Sequence, residues 1–168
     1  MKVYIDFDGV LLDTDSVIDK EFDGNGDRRE FVKNYDWFKL MRDDLIISNA
    51  FEYINRSKFD VNLLSKISSM CEGQAKIKYL RNKKINMDIN LVPTLINKCD
   101  VVNAFGNVLV DDKLVNLDSW SSAGGISIFF NKEGSSIDIH GDINTKYPMV
   151  SDLSFLVNGF EDIIKERF

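Results

Sequence analysis

Cysteine and histidine are nearly absent from this chain of 168 residues: it has Cys71, Cys99 and the single histidine His140. The two cysteines form no CxxC pair and are too few for a disulfide framework, and with one imidazole a zinc site has no donor set. Long apolar runs are also missing, so no segment reaches the length that spans a bilayer. The N-terminus has no basic stretch leading into an apolar one. Together these absences lead us to expect a reduced, cytoplasmic protein. Positive charge is the scarcer sign, with 21 Lys and Arg against 27 Asp and Glu and a formal net charge of -6. That balance disfavours nucleic-acid polymers and acidic membrane surfaces as partners. A small phosphorylated metabolite remains compatible, provided a metal ion supplies the positive charge.

What is present is the composition of an ordinary globular domain, 44% hydrophobic and 29% charged, long enough to bury a full core. Apolar runs of strand length fall at residues 1–7, 61–64, 89–92, 108–110 and 126–130. Helical patterns lie between them, in SNAFEYINRSKF with Ser48 or Asn49 as cap, in EGQAKIKYLRNKK, and in VNLDSWSSAG before a glycine pair. A last helical face carries Leu153, Leu156, Val157, Phe160 and Ile164. Buried strands alternating with helices predict an α/β fold, a Rossmann-like three-layer core with a parallel sheet. In such sheets ligands bind at the carboxyl ends of the strands.

The acidic residues fall at those ends. VYIDFDGVLLDT places Asp6 and Asp8 at the end of the first strand, and NVLVDD runs from another strand into Asp111 and Asp112. Four carboxylates converging on one edge are unfavourable unless a hard cation neutralises them, and oxygen-rich coordination of this kind suits Mg²⁺. LLSK would bring the hydroxyl of Ser65 to the same rim, with Ser68 and Ser69 as alternatives. Other signals fail. DGNGD at 23–27 opens like a calcium loop, but its sixth position is Arg28 and its twelfth Asn34. His140 stands in a polar loop and is given no catalytic role.

DFDGVLLDT and NVLVDD resemble the first and fourth motifs of the haloacid dehalogenase superfamily, NLLS resembles the second, and Lys98 stands where the third-motif lysine is sought. Lys76, Lys83 and Lys84 compete for that last role, each otherwise read as a solvated helix-face charge. The resemblance implies a phosphomonoester hydrolase in which Asp6 is the nucleophile and forms an aspartyl phosphate. Asp8 would be the general acid and base. Mg²⁺ would be held by Asp6, by the backbone carbonyl of Asp8, and by Asp111 or Asp112. Ser65 would bond a phosphoryl oxygen and Lys98 would screen the charge, while Gly9 would allow a tight turn beside the phosphate.

Residues 15–48 are too long for a simple crossover, and the resemblance makes them a small helical cap inserted in a core of residues 1–14 and 49–168. The segment is rich in aromatics, among them Phe22, Phe31, Tyr35, Trp37 and Phe38. Most would form the cap's own core, with Phe31 and Trp37 as candidates to stack on a planar substrate group. Arg28, Arg29 and Arg42 are candidates for a second anionic group. A narrower likeness, to the 5'(3')-deoxyribonucleotidase group, rests on Asp111, Asp112, Asn116, Trp120, Gly124 and Gly125 in LVDDKLVNLDSWSSAGG. It makes a nucleoside monophosphate the leading substrate expectation. The alternatives are a phosphosugar or other metabolite phosphatase, and a phosphate-binding or phosphoacceptor switch without turnover.

Overall fold

The computed structural model describes residues 1–134, 146–160 and 163. Six parallel strands form one sheet: β1 (Lys2–Ile5), β2 (Asp60–Ile67), β3 (Ile89–Pro93), β4 (Val108–Asp111), β5 (Ile126–Phe130) and β6 (Met149–Val150). Their order is β3-β2-β1-β4-β5-β6, the doubly wound arrangement. The chain builds outward from β1 on one side, then returns to β4 and builds outward on the other. The switch point therefore falls between β1 and β4, where Ile5 pairs with Val110 and the Asp6 amide donates to the Val110 carbonyl at 3.0 Å. The α/β, Rossmann-like expectation holds.

Alternation along the strands divides the core in two. Val3, Ile5, Leu63, Val108 and Val110 pack on one face with Phe7, Leu80 and Leu156. Tyr4, Leu64, Leu109 and Phe129 pack on the other with Leu117 and Trp120. Trp120 meets Tyr4 edge to face at 5.4 Å and donates its indole N–H to the Asn107 carbonyl. Gly125 passes so close beneath it that a Cβ there would overlap the indole and come within 2.9 Å of the Ala104 carbonyl oxygen. The spacing of Trp120 and the glycine pair is thus a packing requirement.

Helices α1 (Thr14–Glu21), α2 (Arg28–Lys33) and α3 (Trp37–Leu40), with a 3-10 turn at Asp43–Leu45, occupy the stretch between the first two strands. Asp27 and Asp36 cap α2 and α3 through their side chains. In DGNGD, Asp23 accepts from the Asn25 amide at 2.9 Å and from the Asn25 side chain at 3.1 Å, a local turn. Helix α4 (Ala50–Asn55) leads into β2, α5 (Met70–Asn82) joins β2 to β3, α6 (Leu114–Ser122) joins β4 to β5, and α7 (Phe155–Asn158) closes the described chain.

Several boundaries differ from the sequence reading. β2 extends beyond residues 61–64 to Ile67, because Lys66 and Ile67 still pair with Val92 and Pro93. Ser65 is therefore inside the strand and not at its end. β6 has only two residues, too short to leave an apolar pattern. Of the last helical face, Leu153, Leu156, Val157 and Phe160 are described, while Ile164 and His140 lie outside the described residues. Cys71 and Cys99 are both free thiols. Among the described residues no helix is long and apolar enough to cross a membrane.

Candidate active site

Asp6, Asp111 and Asp112 meet at the switch point, buried, each offering a carboxylate oxygen within 4.8 Å of the others. The strand register produces this. Asp6 follows directly on β1 and Asp111 ends β4, neighbours in the sheet, so their side chains emerge at one rim.

Lys98, wholly buried on a 3-10 turn at Lys98–Asp100, bridges two of the three. Its Nζ lies 2.6 Å from Asp111 Oδ2 and 2.9 Å from Asp6 Oδ1. Burial would drive the lysine toward neutrality, but Asp111 and Asp6 outweigh it and hold the pKa above the ordinary value. The reciprocal effect appears at Asp6. Burial pushes its pKa up, yet Lys98, Lys113 and Lys76 together leave it below the usual carboxylate value, so Asp6 is an anion.

Asp111 and Asp112, adjacent in sequence, have opposite surroundings. Asp111 is saturated: besides Lys98 it accepts from the Lys113 amide at 2.9 Å and from Asn116 Nδ2 at 3.1 and 3.0 Å. Its pKa is still raised, burial being the main cause. Among the described residues no donor reaches either oxygen of Asp112. Burial, reinforced by Asp111, Asp6 and Asp15 and opposed by Lys113, pushes its pKa well above the ordinary value. A buried carboxylate with both oxygens unpaired is costly, and a divalent cation is the partner that its chemistry fits.

Gly9 makes this approach possible. It has φ +74, and a Cβ there would lie 2.7 Å from Asp112 Cγ. The turn brings backbone against carboxylate, a geometry open to glycine.

Asp8 does not join the trio. Its Oδ1 accepts from Thr14 Oγ1 at 2.7 Å, and its Oδ2 is paired with Lys76. The expectation of four convergent carboxylates is thus corrected to three, because Thr14 and Lys76 hold both oxygens of Asp8 and only Asp6, Asp111 and Asp112 bring carboxylate oxygens within 4.8 Å of one another. Burial first, then Glu72, Asp6 and Asp15, push the Asp8 pKa up to about 6 against the opposing pull of Lys76.

Lys76, read from sequence as a solvated charge, is fully buried. Its Nζ contacts Glu72 Oε1 at 2.6 Å, Ser65 Oγ at 3.1 Å and the Lys66 carbonyl at 3.2 Å, in addition to Asp8. The signal that was available is SMCE, a capping box at residues 69–72. Ser69 caps α5 by accepting from the Glu72 amide at 3.1 Å, while Glu72 reaches back to the Ser68 amide and hydroxyl at 2.8 and 2.6 Å. A glutamate buried there, one helical turn before Lys76, needs a cation on the same face. Ser68 and Ser69 are thereby engaged in the helix start, and Ser65 is the serine beside Lys76. Lys83 and Lys84 lie at the far end of α5, away from the acidic trio.

Phe31 and Trp37 are the candidates for stacking on substrate. Trp37 is instead 2% exposed and packs with Ile18, Leu40 and Ala75. It donates its indole N–H to the Val32 carbonyl at 3.0 Å, and Lys76 Nζ stands 5.1 Å from its ring centroid. The small core that forms under α1 to α3 takes the largest apolar surface for itself. Phe31 is half-buried in an aromatic run, 5.3 Å from Phe22 and 5.6 Å from Tyr35 between ring centroids. Arg28 is engaged by Asp19 at 2.5 Å, and Arg42 lies 3.4 Å from Asp44.

A cleft of about 280 Å³ opens over Gly9 and Asp112. Its walls include Asp13, Asp15, Ser16, Asp19, Asn131 and Lys132. Lys132 ties Asp13 at 2.5 Å, and Lys113 ties Asp15 at 3.1 Å, so the acidic rim is largely paired.

A doubly wound sheet of this order defines a class of α/β proteins whose ligands bind at the carboxyl ends of the strands, at the switch point. Within that class the chain has the haloacid dehalogenase-type fold. It is similar to the HAD-hydrolase YfnB from Bacillus subtilis bound to magnesium, with TM-score 0.63, 14% identity, and 95% of this chain and 98% of that one covered. It is also similar to D,D-heptose 1,7-bisphosphate phosphatase from Burkholderia thailandensis, with TM-score 0.59, 13% identity, and 95% and 98% covered. A third likeness is to the corresponding phosphatase from B. bronchiseptica complexed with magnesium and phosphate, with TM-score 0.54, 16% identity, and 99% of each chain covered. No family model matches the sequence, and no curated protein matches it.

Proposed function

We propose that the protein is a Mg²⁺-dependent phosphatase that hydrolyses a small phosphomonoester through a phosphorylated Asp6. The observation that carries this reading is the trio at the switch point, in which Lys98 keeps Asp6 anionic while Asp112 retains two unpaired buried oxygens. Asp6, Asp112 and the backbone carbonyl of Asp8 would hold Mg²⁺, with Asp111 fixed behind them by Lys98 and Asn116. When bound, the cation supplies positive charge against the phosphoryl oxygens.

An Asp6 oxygen forms a bond to phosphorus as the ester P–O bond breaks, and the departing oxygen takes a proton from Asp8. Asp8 then accepts a proton from water, whose oxygen bonds to phosphorus as the acyl phosphate on Asp6 breaks. Inorganic phosphate leaves and both carboxyl groups return to their starting states. An Asp8 pKa pushed up to about 6 suits a group that must both give and take a proton near neutrality. Ser65, whose hydroxyl donates to the Lys66 carbonyl at 3.3 Å, would exchange that acceptor for a phosphoryl oxygen, and Lys98 would offset the charge gathered on Asp6 and phosphate.

Residues 15–48 serve in this reading as the small cap over the cleft. A nucleoside monophosphate is the leading substrate from the sequence resemblance. A phosphosugar is the second reading, favoured by the polar cleft wall, whose aromatic residue among those described, Phe130, is buried in the sheet. The chemistry of the cleft suits hydroxyl groups better than a base, and a heptose bisphosphate phosphatase is among the similar structures.

The test is hydrolysis of p-nitrophenyl phosphate with and without Mg²⁺, followed by panels of nucleoside monophosphates and sugar phosphates. Mg²⁺-dependent turnover is the expected result. Mg²⁺ binding without turnover of any phosphomonoester would replace the phosphatase with the phosphate-binding switch.

A further inference from the structure

The buried pair Lys76 and Glu72 has no task in the phosphatase mechanism. Lys76 lies on α5, not on the rim that carries the acidic trio, and it reaches Asp8 across 68 positions of sequence. A fully buried ammonium is tolerated when its hydrogens find acceptors. Here they find Asp8, Glu72, Ser65 Oγ and the Lys66 carbonyl, with the faces of Phe7 and Trp37 at 5.3 and 5.1 Å.

The anchor behind it is rigid. Glu72 is 3% exposed, and its second oxygen is held by the Ser68 amide and hydroxyl at the start of α5. Lys76 is therefore fixed from the helix side before it meets Asp8. On the other side, Thr14 Oγ1 fixes the remaining Asp8 oxygen at 2.7 Å. The Asp8 carboxylate is gripped at both oxygens by groups from two different helices.

We propose that Lys76, held by Glu72, is the positioning residue that aims the Asp8 carboxyl group at the leaving oxygen. This rests on the phosphatase reading, and it adds a residue that acts through Asp8 without touching substrate. Misaiming a general acid has a signature that general loss of structure lacks. A leaving group stable as an anion needs little protonation, so its ester tolerates a displaced acid, while an alkyl ester does not. The ratio of kcat/KM for the two esters reports the aim of Asp8, because kcat/KM covers the steps up to the first irreversible bond cleavage.

The experiment compares wild type, Lys76→Met, Glu72→Gln and Asp8→Asn on p-nitrophenyl phosphate and on glycerol 2-phosphate, at saturating Mg²⁺, with far-UV circular dichroism as a check of folding. Since a positioned acid contributes roughly 10²- to 10⁴-fold, Lys76→Met is expected to lose about 100-fold or more on the alkyl ester. On the nitrophenyl ester kcat/KM is expected to fall about tenfold or less, and Asp8→Asn is expected to show the same pattern. Glu72→Gln shifts the ratio the same way by a smaller factor, and it carries the test if Lys76→Met does not fold. Equal losses on both esters in folded variants, or no loss, overturn the positioning role while wild-type turnover leaves the phosphatase reading standing. Absence of wild-type turnover on both esters overturns the phosphatase reading and the role of Lys76 with it.

Discussion

Asp111 and Asp112 are consecutive residues, yet one carboxylate is saturated by Lys98, Asn116 and the Lys113 amide while the other has no described donor on either oxygen. Asp111 anchors the lysine, and Asp112 keeps two buried oxygens that fit a cation.

Metal and Asp112 can be separated by thermal unfolding. Burial opposes ionisation of the unpaired Asp112 carboxyl, and Asp112→Asn removes that cost, so it should stabilise the metal-free protein by roughly 1 to 3 kcal/mol and raise its melting temperature. The same substitution should abolish the stabilisation that Mg²⁺ gives the wild type, which follows the concentration of metal relative to its Kd. A wild type whose melting temperature is indifferent to Mg²⁺ speaks against the site.

Lys98 is expected to matter for both folding and turnover. Lys98→Met leaves Asp6 and Asp111 buried without their cation, and breaking a buried pair in this way typically costs about 3 to 5 kcal/mol. Chemical denaturation should register that loss. Mg²⁺ should restore part of the stability and little of the hydrolysis, because the variant lacks the charge that offsets nucleophile and phosphate.

Gly9→Ala probes the turn. The left-handed backbone alone costs about 1 to 2 kcal/mol in a residue with a side chain, and the added Cβ would press on Asp112. A weakened Mg²⁺ affinity, measured by calorimetry, should accompany the lower melting temperature. Unchanged affinity would mean that Asp112 is not a ligand.

The pH dependence of stability without metal has a definite sign at Asp8. Burial raises its pKa from 3.8 to about 6 in the folded protein, so the folded state binds the proton more tightly than the unfolded one. That share of stability is present below pH 3.8 and is lost as the pH rises through about 6. Asp8→Asn should flatten the difference in unfolding free energy between wild type and variant outside that window and change it within. Urea titrations at a series of pH values in the presence of a chelator measure it.

Trp37→Ala distinguishes packing from substrate stacking. Loss of a buried tryptophan should cost about 3 to 5 kcal/mol, read in denaturant midpoints. Trp37→Phe, which keeps most of the volume, should leave KM for a nucleoside monophosphate unchanged. A selective rise in that KM would return Trp37 to the substrate.

Much of the architecture was legible because strand ends announce themselves: apolar runs stop abruptly at Asp6 and at Asp111, and the register then brings those ends together. Lys98 was legible through its nearness to the acidic strand. Lys76 was not, since a lysine in an amphipathic helix looks the same whether it faces water or a buried glutamate, and only the SMCE cap hinted at the latter. The reverse error befell Trp37. An aromatic-rich insertion offers rings for a ligand and for its own core, and the need to bury Ile18, Leu40 and Ala75 used the largest one. Side-chain direction also escaped the sequence at Asp8, whose neighbour Thr14 lies on the following helix.

The central claim, a covalent route through Asp6, is tested most directly by quenching p-nitrophenyl phosphate turnover in acid and mapping phosphate on the digested protein. With Mg²⁺ present, Asp8→Asn should accumulate a base-labile acyl phosphate on the peptide that contains Asp6, because its water-activating group is gone. Asp6→Asn should give none. Turnover by Asp6→Asn comparable to wild type, or a phosphate found on any other residue, would contradict the account.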